Sequence, residues 1–208
     1  MKAHTKETQA TMTPQKAIDF LKEGNERFQG NLKANRNLLE QVNDTSEGQF
    51  PFATILSCID SRVSAELVFD QGLGDVFSVR IAGNFVNEDI LGSMEFGCKL
   101  AGTKLVVVLG HTSCGAIKGA CDHAEMGNLT KLIEKINPAV NAVLEPKDES
   151  LRTSKNLDFV DSVSKKNVEL TIGRIHAESP ILSEMEKNGE IKIIGAMYDI
   201  NTGAVNFY

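Results

Sequence analysis

Several features that mark other protein classes are missing from this chain of 208 residues. It has no cluster of lysine and arginine, and its formal net charge is −6, so we expect no nucleic-acid partner. No apolar run approaches the roughly 20 residues of a membrane-spanning helix. The polar N-terminus lacks the apolar segment of a signal peptide. We therefore expect a cytoplasmic protein with no membrane partner.

Cysteine is scarce: the chain has four, Cys58, Cys98, Cys114 and Cys121. Structural disulfides are rare in reducing compartments, where cysteines more often bind metal or act in catalysis. We expect Cys98 to be a buried thiol and Cys121 to have no metal role. The length allows one well-buried core and nothing marks a second domain, so we expect a loose polar arm over residues 1–13 and a single domain over residues 14–208.

Strand and helix patterns alternate along the chain. The predicted strands are the apolar runs PFATILSC (51–58), DVFSVRIAG (75–83), KLVVVLGH (104–111) and EIKIIGAMYDI (190–200). Helical spacing covers residues 14–28, 88–101, 115–124, 129–144, 157–176 and 179–189. The predicted connectors and tail are residues 40–50, 145–156 and 201–208. This alternation predicts an α/β fold, with a mainly parallel central β-sheet flanked by helices and an N-terminal helical arm.

Side chains that can carry chemistry follow two of these strands. Cys58 ends the first strand, and Asp60 and Arg62 follow it at alternate positions. His111 and Cys114 lie where the strand KLVVVLGH ends and the next helix begins. Because ligands bind outside the carboxyl ends of the strands in open parallel sheets, these two segments should bring the cysteines and the histidine to one edge.

Two cysteines and a histidine are ligands that Zn²⁺ prefers, and three protein ligands with an open fourth position are typical of a catalytic site. The alternative interpretation is that Cys58 and Cys114 are small buried thiols and His111 is a satisfied histidine at a strand end. Asp60 and Arg62 favour a site, because a buried carboxylate and guanidinium need each other and a bidentate pair satisfies both. Local sequence alone leaves both interpretations open.

The two segments together form a pattern, C-x-D-S-R (58–62) followed by H-x-x-C-G (111–115), that resembles the signature of the β-class carbonic anhydrases. Further segments resemble the same family: EGNERF (23–28), the residues from Ala65 to Asp70, GDVFSVRIAGN (74–84) and SPIL (179–182). The resemblance therefore covers most of the chain, roughly from residue 14 to residue 205.

This resemblance implies an activity, a cofactor and site residues. Cys58, His111 and Cys114 would bind Zn²⁺, and Asp60 and Arg62 would form a catalytic dyad beside the metal. The reaction would be the reversible hydration of CO₂ to bicarbonate and a proton by attack of zinc-bound hydroxide, with the dyad orienting the nucleophile. If Asp60 were released from Arg62, it could become an alternative fourth zinc ligand.

The resemblance also implies a pocket and a partner. Gly83, Asn84 and Gly115 would line the substrate pocket, although a strand-end turn and the start of a helix explain these residues equally well. Members of the family form dimers or tetramers built from dimers, with the N-terminal helix lying on the partner. We therefore expect self-association.

The chain has no tryptophan, and this absence argues against one kind of regulatory pocket. Some members of the family have a noncatalytic bicarbonate pocket made by Trp, Arg and Tyr, with the Trp three positions before the first zinc cysteine. Ile55 stands at that position here, so we expect an enzyme without this pocket and a structural role for Arg80.

Two other functions remain open. One is a relative that uses the same site on CS₂ or COS. The other is a noncatalytic zinc-binding protein with the same fold. The pair of Asp60 and Arg62 argues against the second, because zinc binding alone does not require it.

Overall fold

The computed structural model describes residues 2–208. The helices are α1 (Lys6–Ala10), α2 (Pro14–Gln29), α3 (Leu38–Asp44), α4 (Ala65–Val68), α5 (Glu88–Glu95), α6 (Gly115–Cys121), α7 (Gly127–Glu134), α8 (Asn137–Ala142), α9 (Leu157–Glu178) and α10 (Pro180–Lys187). The strands are β1 (Ala53–Ser57), β2 (Val76–Arg80), β3 (Leu105–His111), β4 (Lys192–Tyr198) and β5 (Val205–Phe207). A π-helical turn (Phe96–Leu100) continues α5, and a 3-10 turn (Glu149–Leu151) precedes α9. Across the described residues, no helix is both long and apolar enough to cross a membrane.

The strands form one sheet in the order β2-β1-β3-β4-β5. β1 pairs in parallel with β2 and with β3, and β3 pairs in parallel with β4, whereas β5 is antiparallel to β4. Every residue of β1 and β3 is buried, as expected for strands that helices cover on both faces. The prediction of a mainly parallel central sheet flanked by helices is confirmed.

Neighbouring residues of β1 pack into different apolar cores, because successive side chains of a strand point to opposite faces. Ile55 lies in a core that contains Leu21 of α2. Leu56 lies in a second core that contains Val168 of α9. The helices α2 and α9 therefore cover opposite faces of the sheet.

A glycine near the end of β3 allows α9 to lie close to the sheet. A Cβ atom on Gly110 would be 2.7 Å from both Met197 Sδ and Val168 Cγ2, closer than real Cβ atoms come. The next residue of β3 is His111, so the close approach brings α9 beside the strand end that carries a predicted ligand.

The structure differs from the sequence-based expectations at several elements. The loop predicted over residues 40–50 begins inside α3, which Asn37 caps. The single helix predicted over residues 129–144 is divided into α7 and α8, because Pro138 lacks a backbone N–H and fits only the first turn of a new helix. The tail predicted over residues 201–208 contains β5.

The N-terminal arm packs against its own chain instead of being loose. Nε2 of Gln9 donates hydrogen bonds to the backbone oxygens of Pro51 at 2.7 Å and of Ala101 at 2.8 Å. The ring of His4 lies edge to face with the ring of Phe52, with the centroids 5.3 Å apart. The arm is thus joined to the segments that precede β1 and β3.

Candidate metal centre

The strand order places a topological switch between β1 and β3. From β1 the chain continues to β2 on one side, and from β3 it continues to β4 on the other side. In open α/β sheets, ligands bind in the crevice beyond the carboxyl ends of the strands at such a point. Cys58 directly follows β1, His111 ends β3, and Cys114 precedes α6, so all three residues lie at this crevice.

Three potential ligand atoms converge there. The Sγ atoms of Cys58 and Cys114 and a ring nitrogen of His111 lie within 4.8 Å of one another, and all three residues are buried. The two sulfur atoms are 3.9 Å apart. Tetrahedral Zn²⁺ with Zn–S bonds of about 2.3 Å would hold two sulfurs about 3.8 Å apart. The separation of the sulfurs therefore fits ligands that share one metal ion.

His111 offers an unpaired nitrogen to this cluster. Its Nδ1 is 2.9 Å from the backbone oxygen of Thr112, which can only accept, so Nδ1 is the donor and Nε2 is the nitrogen that faces the cluster. Nε2 is buried, and no hydrogen-bond partner for it exists among residues 2–208. An unpaired buried polar atom costs about 1–3 kcal/mol, and coordination of a metal would remove that cost. The donor set therefore fits a metal.

The hydrogen bond between the two sulfurs shifts the pKa values of the two thiols in opposite directions. The hydrogen bond with Cys114 lowers the pKa of Cys58 to about 4, and the backbone N–H of Gly83, 3.4 Å from Cys58 Sγ, acts in the same direction. The same sulfur–sulfur hydrogen bond and burial raise the pKa of Cys114. Because metal-binding cysteines are thiolates, a dication bound here would displace the thiol protons.

Asp60 and Arg62 lie beside the cluster. Nε and Nη2 of Arg62 donate to the two carboxylate oxygens of Asp60 at 2.9 and 2.7 Å, and Asp60 Oδ2 is 4.0 Å from Nε2 of His111. The hydrogen bonds from Arg62 hold the pKa of Asp60 well below its usual range, so the carboxylate is ionised at neutral pH. The assumption that the pair is buried is wrong, because the side chain of Arg62 is 53% exposed.

Arg80 holds the backbone of the segment that bears these groups. Its Nε donates to the backbone oxygen of Cys58 at 2.9 Å, and its Nη2 donates to the backbone oxygen of Asp60 at 2.7 Å. A structural role is expected for Arg80 from the sequence, but these two partners cannot be predicted from it. They depend on the parallel pairing of β1 and β2, which places Arg80 opposite Ser57.

The three residues expected to line a pocket lie in different surroundings. Gly83 is buried, and its N–H contacts Cys58 Sγ. Asn84 is 1% exposed, and its Oδ1 and Nδ2 have no hydrogen-bond partner among the described residues. Gly115 is exposed at the start of α6, and a Cβ atom there would meet nothing within 4 Å. Steric demand therefore does not explain the glycine at position 115.

The other two cysteines lie outside the cluster. Cys98 and Cys121 are buried free thiols, and burial raises the pKa of each to about 11. Neither belongs to the group of potential metal ligands found in residues 2–208.

This chain is similar to known proteins over most of its length. The family model described as carbonic anhydrase matches residues 53–205. Carbonic anhydrase 2 of Mycobacterium tuberculosis is 36% identical over 196 residues, which cover 91% of this chain and 90% of that protein.

Solved structures agree with this match. The β-carbonic anhydrase CcaA is 24% identical, with a TM-score of 0.72 over 92% of this chain and 94% of that one. A tetrameric β-carbonic anhydrase from Sordaria macrospora is 21% identical, with a TM-score of 0.67 over 78% of this chain and 82% of that one. With the family match and the relative from Mycobacterium tuberculosis, it follows that the chain belongs to the β-class carbonic anhydrases, enzymes that hydrate CO₂ reversibly.

Proposed function

We propose that this chain converts CO₂ and water to bicarbonate and a proton at a zinc ion held by Cys58, His111 and Cys114. The observation that carries this proposal is the convergence of two sulfurs, 3.9 Å apart, with an unpaired buried imidazole nitrogen. Zinc bound at such a site lowers the pKa of a water ligand and so provides a nucleophile near neutral pH.

Asp60 is proposed to orient the attacking water. A carboxylate oxygen has two acceptor positions, so Oδ2 can accept from Arg62 and still accept a second hydrogen bond. Because the low pKa keeps Asp60 ionised, it can only accept, and it would hold one proton of the water at Oδ2. The lone pair of the water oxygen is then left for the carbon of CO₂.

Arg62 is proposed to determine whether Asp60 orients the water or binds the metal. While the guanidinium binds both carboxylate oxygens, the carboxylate does not bind the metal and remains able to accept a hydrogen bond from the water. If the pair opened, Asp60 could become an alternative fourth ligand of the metal. The pair also includes the backbone N–H of Arg62, which donates to Asp60 Oδ1 at 3.0 Å, and this third hydrogen bond favours the closed pair.

Zinc content and CO₂ hydration measured together test the proposed function. We expect about one zinc per chain, as three protein ligands and an open position imply, and activity that disappears with a chelator and returns with Zn²⁺. Two thiolates neutralise the metal charge, so the water should ionise less readily than at an all-histidine site, where its pKa is about 7. Stopped-flow kcat/KM should therefore keep rising above neutral pH. Full activity without zinc, or a flat pH profile, would contradict the proposal.

Replacement of Arg80 should damage the site without removing the metal. We expect Arg80→Gln to lower kcat/KM about tenfold or more, because hydrogen bonds from a charged donor contribute about 1.5–3 kcal/mol each. Arg174→Gln, which removes an exposed ion pair with Glu178, is the control. Steady-state kinetics with zinc analysis checks both variants, and equal activity would show that Arg80 does not influence the site.

We further propose that the chain forms a homodimer or a dimer-based tetramer. Large apolar side chains between α2 and β2 are about half exposed or more, and association would remove them from water. They are Leu32, Leu38, Leu39, Val42, Ile59 and Leu67. The tetrameric enzyme from Sordaria macrospora is consistent with this proposal.

Domain organisation and cellular location are also proposals. We propose residues 14–208 as one domain with an arm over residues 1–13, supported by Asn25 of α2, whose Nδ2 donates to the backbone oxygens of Val68 and Gly203. We propose a reducing compartment such as the cytoplasm, because all four cysteines are free thiols.

A further inference from the structure

Three polar side chains of α9 occur at intervals of three residues, Asp161, Ser164 and Asn167, and are termed the α9 row. Ser164 Oγ donates to the backbone oxygen of His111 at 3.0 Å. Asp161 Oδ1 accepts from the backbone N–H of Ser113 at 2.7 Å. Two members of the row therefore hold the segment that runs from the last residue of β3 to Cys114 and carries two of the potential metal ligands.

The third member, Asn167, reaches the other half of the metal centre. Its Nδ2 donates to the backbone oxygen of Gly83 at 2.7 Å, and the N–H of Gly83 is directed at Cys58 Sγ, 3.4 Å away. The C=O of Gly83 is thus held by a side chain, and its N–H by a ligand sulfur. Gly83 has a φ of 79°, which favours glycine, and the N–H of Asn84 in the same turn donates to the backbone oxygen of Ile81 at 2.9 Å, so the contact from Asn167 adds to a local hydrogen bond.

We propose that Asn167 is a positioning residue for the metal centre. Through Gly83, it fixes the N–H group that hydrogen-bonds the Cys58 thiolate. The inference rests on the proposed metal site and adds a residue outside the ligand set and the dyad. Hydrogen bonds around a metal ligand orient it and stabilise its charge, and their loss typically weakens metal binding about 10–100-fold.

A purely structural role would also explain a buried amide, because the carbonyl of Gly83 needs a donor. Asn25 provides a matched comparison. Asn167 and Asn25 are each 3% exposed, and Nδ2 of Asn25 also donates to a backbone oxygen, that of Gly203, at 2.8 Å. No partner of Asn25 belongs to the metal centre, so only effects on the metal separate the two roles.

The test compares the whole chain with its Asn167→Ala and Asn25→Ala variants. Each protein is stripped of metal and titrated with Zn²⁺ against a chromophoric chelator, and its Tm is measured. We expect both variants to lower Tm and Asn167→Ala to raise the Kd for Zn²⁺ about tenfold or more. Asn25→Ala should leave this Kd within about twofold of wild type, as for distant independent sites. Co²⁺-loaded protein should show a shifted thiolate-to-metal absorption band only in Asn167→Ala.

The inference is overturned if Asn167→Ala binds Zn²⁺ as tightly as wild type, or if Asn25→Ala weakens binding equally. If Asn167→Ala does not fold, Asn167→Asp is measured instead, with the same expected change in the Kd for Zn²⁺. An ionised carboxylate has a similar shape but cannot donate a hydrogen bond to Gly83. A wild-type chain that binds neither Zn²⁺ nor Co²⁺ would overturn the proposed function itself. A wild type that binds both, with unchanged variants, would overturn only the role of Asn167.

Discussion

Cys58→Ala is expected to lose its zinc on dialysis and to lower CO₂ hydration to near background. Structural zinc sites bind the metal with about 10–16 kcal/mol, and on that scale one of three or four ligands would account for roughly 3–4 kcal/mol. That loss corresponds to a decrease in affinity of about 10²–10³. The Cys114 thiolate and the unpaired nitrogen of His111 would remain as a pair of ligands. Metal analysis after dialysis and stopped-flow kinetics measure the two effects.

The matched control is Cys121→Ala. Cys121 and Cys58 are each 3% exposed, so both substitutions remove a buried thiol, but Cys121 lies outside the cluster. We expect Cys121→Ala to lose some stability and to keep zinc and activity. Retention of one zinc by Cys58→Ala, or equal losses in both variants, would contradict the assignment of Cys58 as a ligand.

Asp60→Asn is expected to keep its zinc and to lower kcat/KM about 10²–10³-fold, within the range for loss of a positioned proton acceptor. The amide has the shape of the carboxylate but only one acceptor oxygen. Its NH₂ group would face an N–H donor of Arg62, where the carboxylate now accepts two hydrogen bonds from the side chain. The pair should therefore open, and the water would lose its acceptor. Stopped-flow hydration at matched zinc content measures this effect.

Two further variants test whether the loss of kcat/KM is specific to the pair of Asp60 and Arg62. Arg62→Lys keeps the positive charge but not the two-pronged donor geometry, so we expect a smaller loss than in Asp60→Asn. Asp122→Asn changes a carboxylate that accepts from the backbone N–H of Ser154, outside the metal centre, and should retain normal kinetics. Near-normal turnover in Asp60→Asn would show that the dyad has only a structural role.

The parts of the fold that could be predicted depend on local pattern. β3 is apolar at its first five positions, and β1 combines apolar residues with only the small hydroxyl side chains of Thr54 and Ser57, because both faces of each strand are buried, and this made the strands recognisable. α3 was missed because its sequence, Leu38–Asp44, is mostly polar, and its clearest start signal is the Asn37 cap, outside the window that appeared to be a loop. β5 has three residues, too few for a periodic signal.

Some features of the candidate site could also be predicted from short segments of sequence, whereas others depend on how distant segments pack. Cys58 and His111 could be placed at one edge because each follows a predicted strand, and the alternate spacing of Asp60 and Arg62 indicated a pair. The exposure of the Arg62 side chain depends on the packing of the segments around it, and a short stretch of sequence does not predict that packing. The contact of Asn167 with Gly83 joins residues 84 positions apart, so only the packing of α9 on the sheet reveals it.

The docking of the arm determines how this enzyme could be attached to a solid support. Gln9 binds Pro51 and Ala101, which precede β1 and β3, whereas the proposed metal ligands lie at or beyond the other ends of these strands. β3 has seven residues, and at about 3.3 Å per residue they span roughly 20 Å. A catalyst immobilised through its arm would therefore turn the opposite end of the sheet, with the metal centre, toward the dissolved gas.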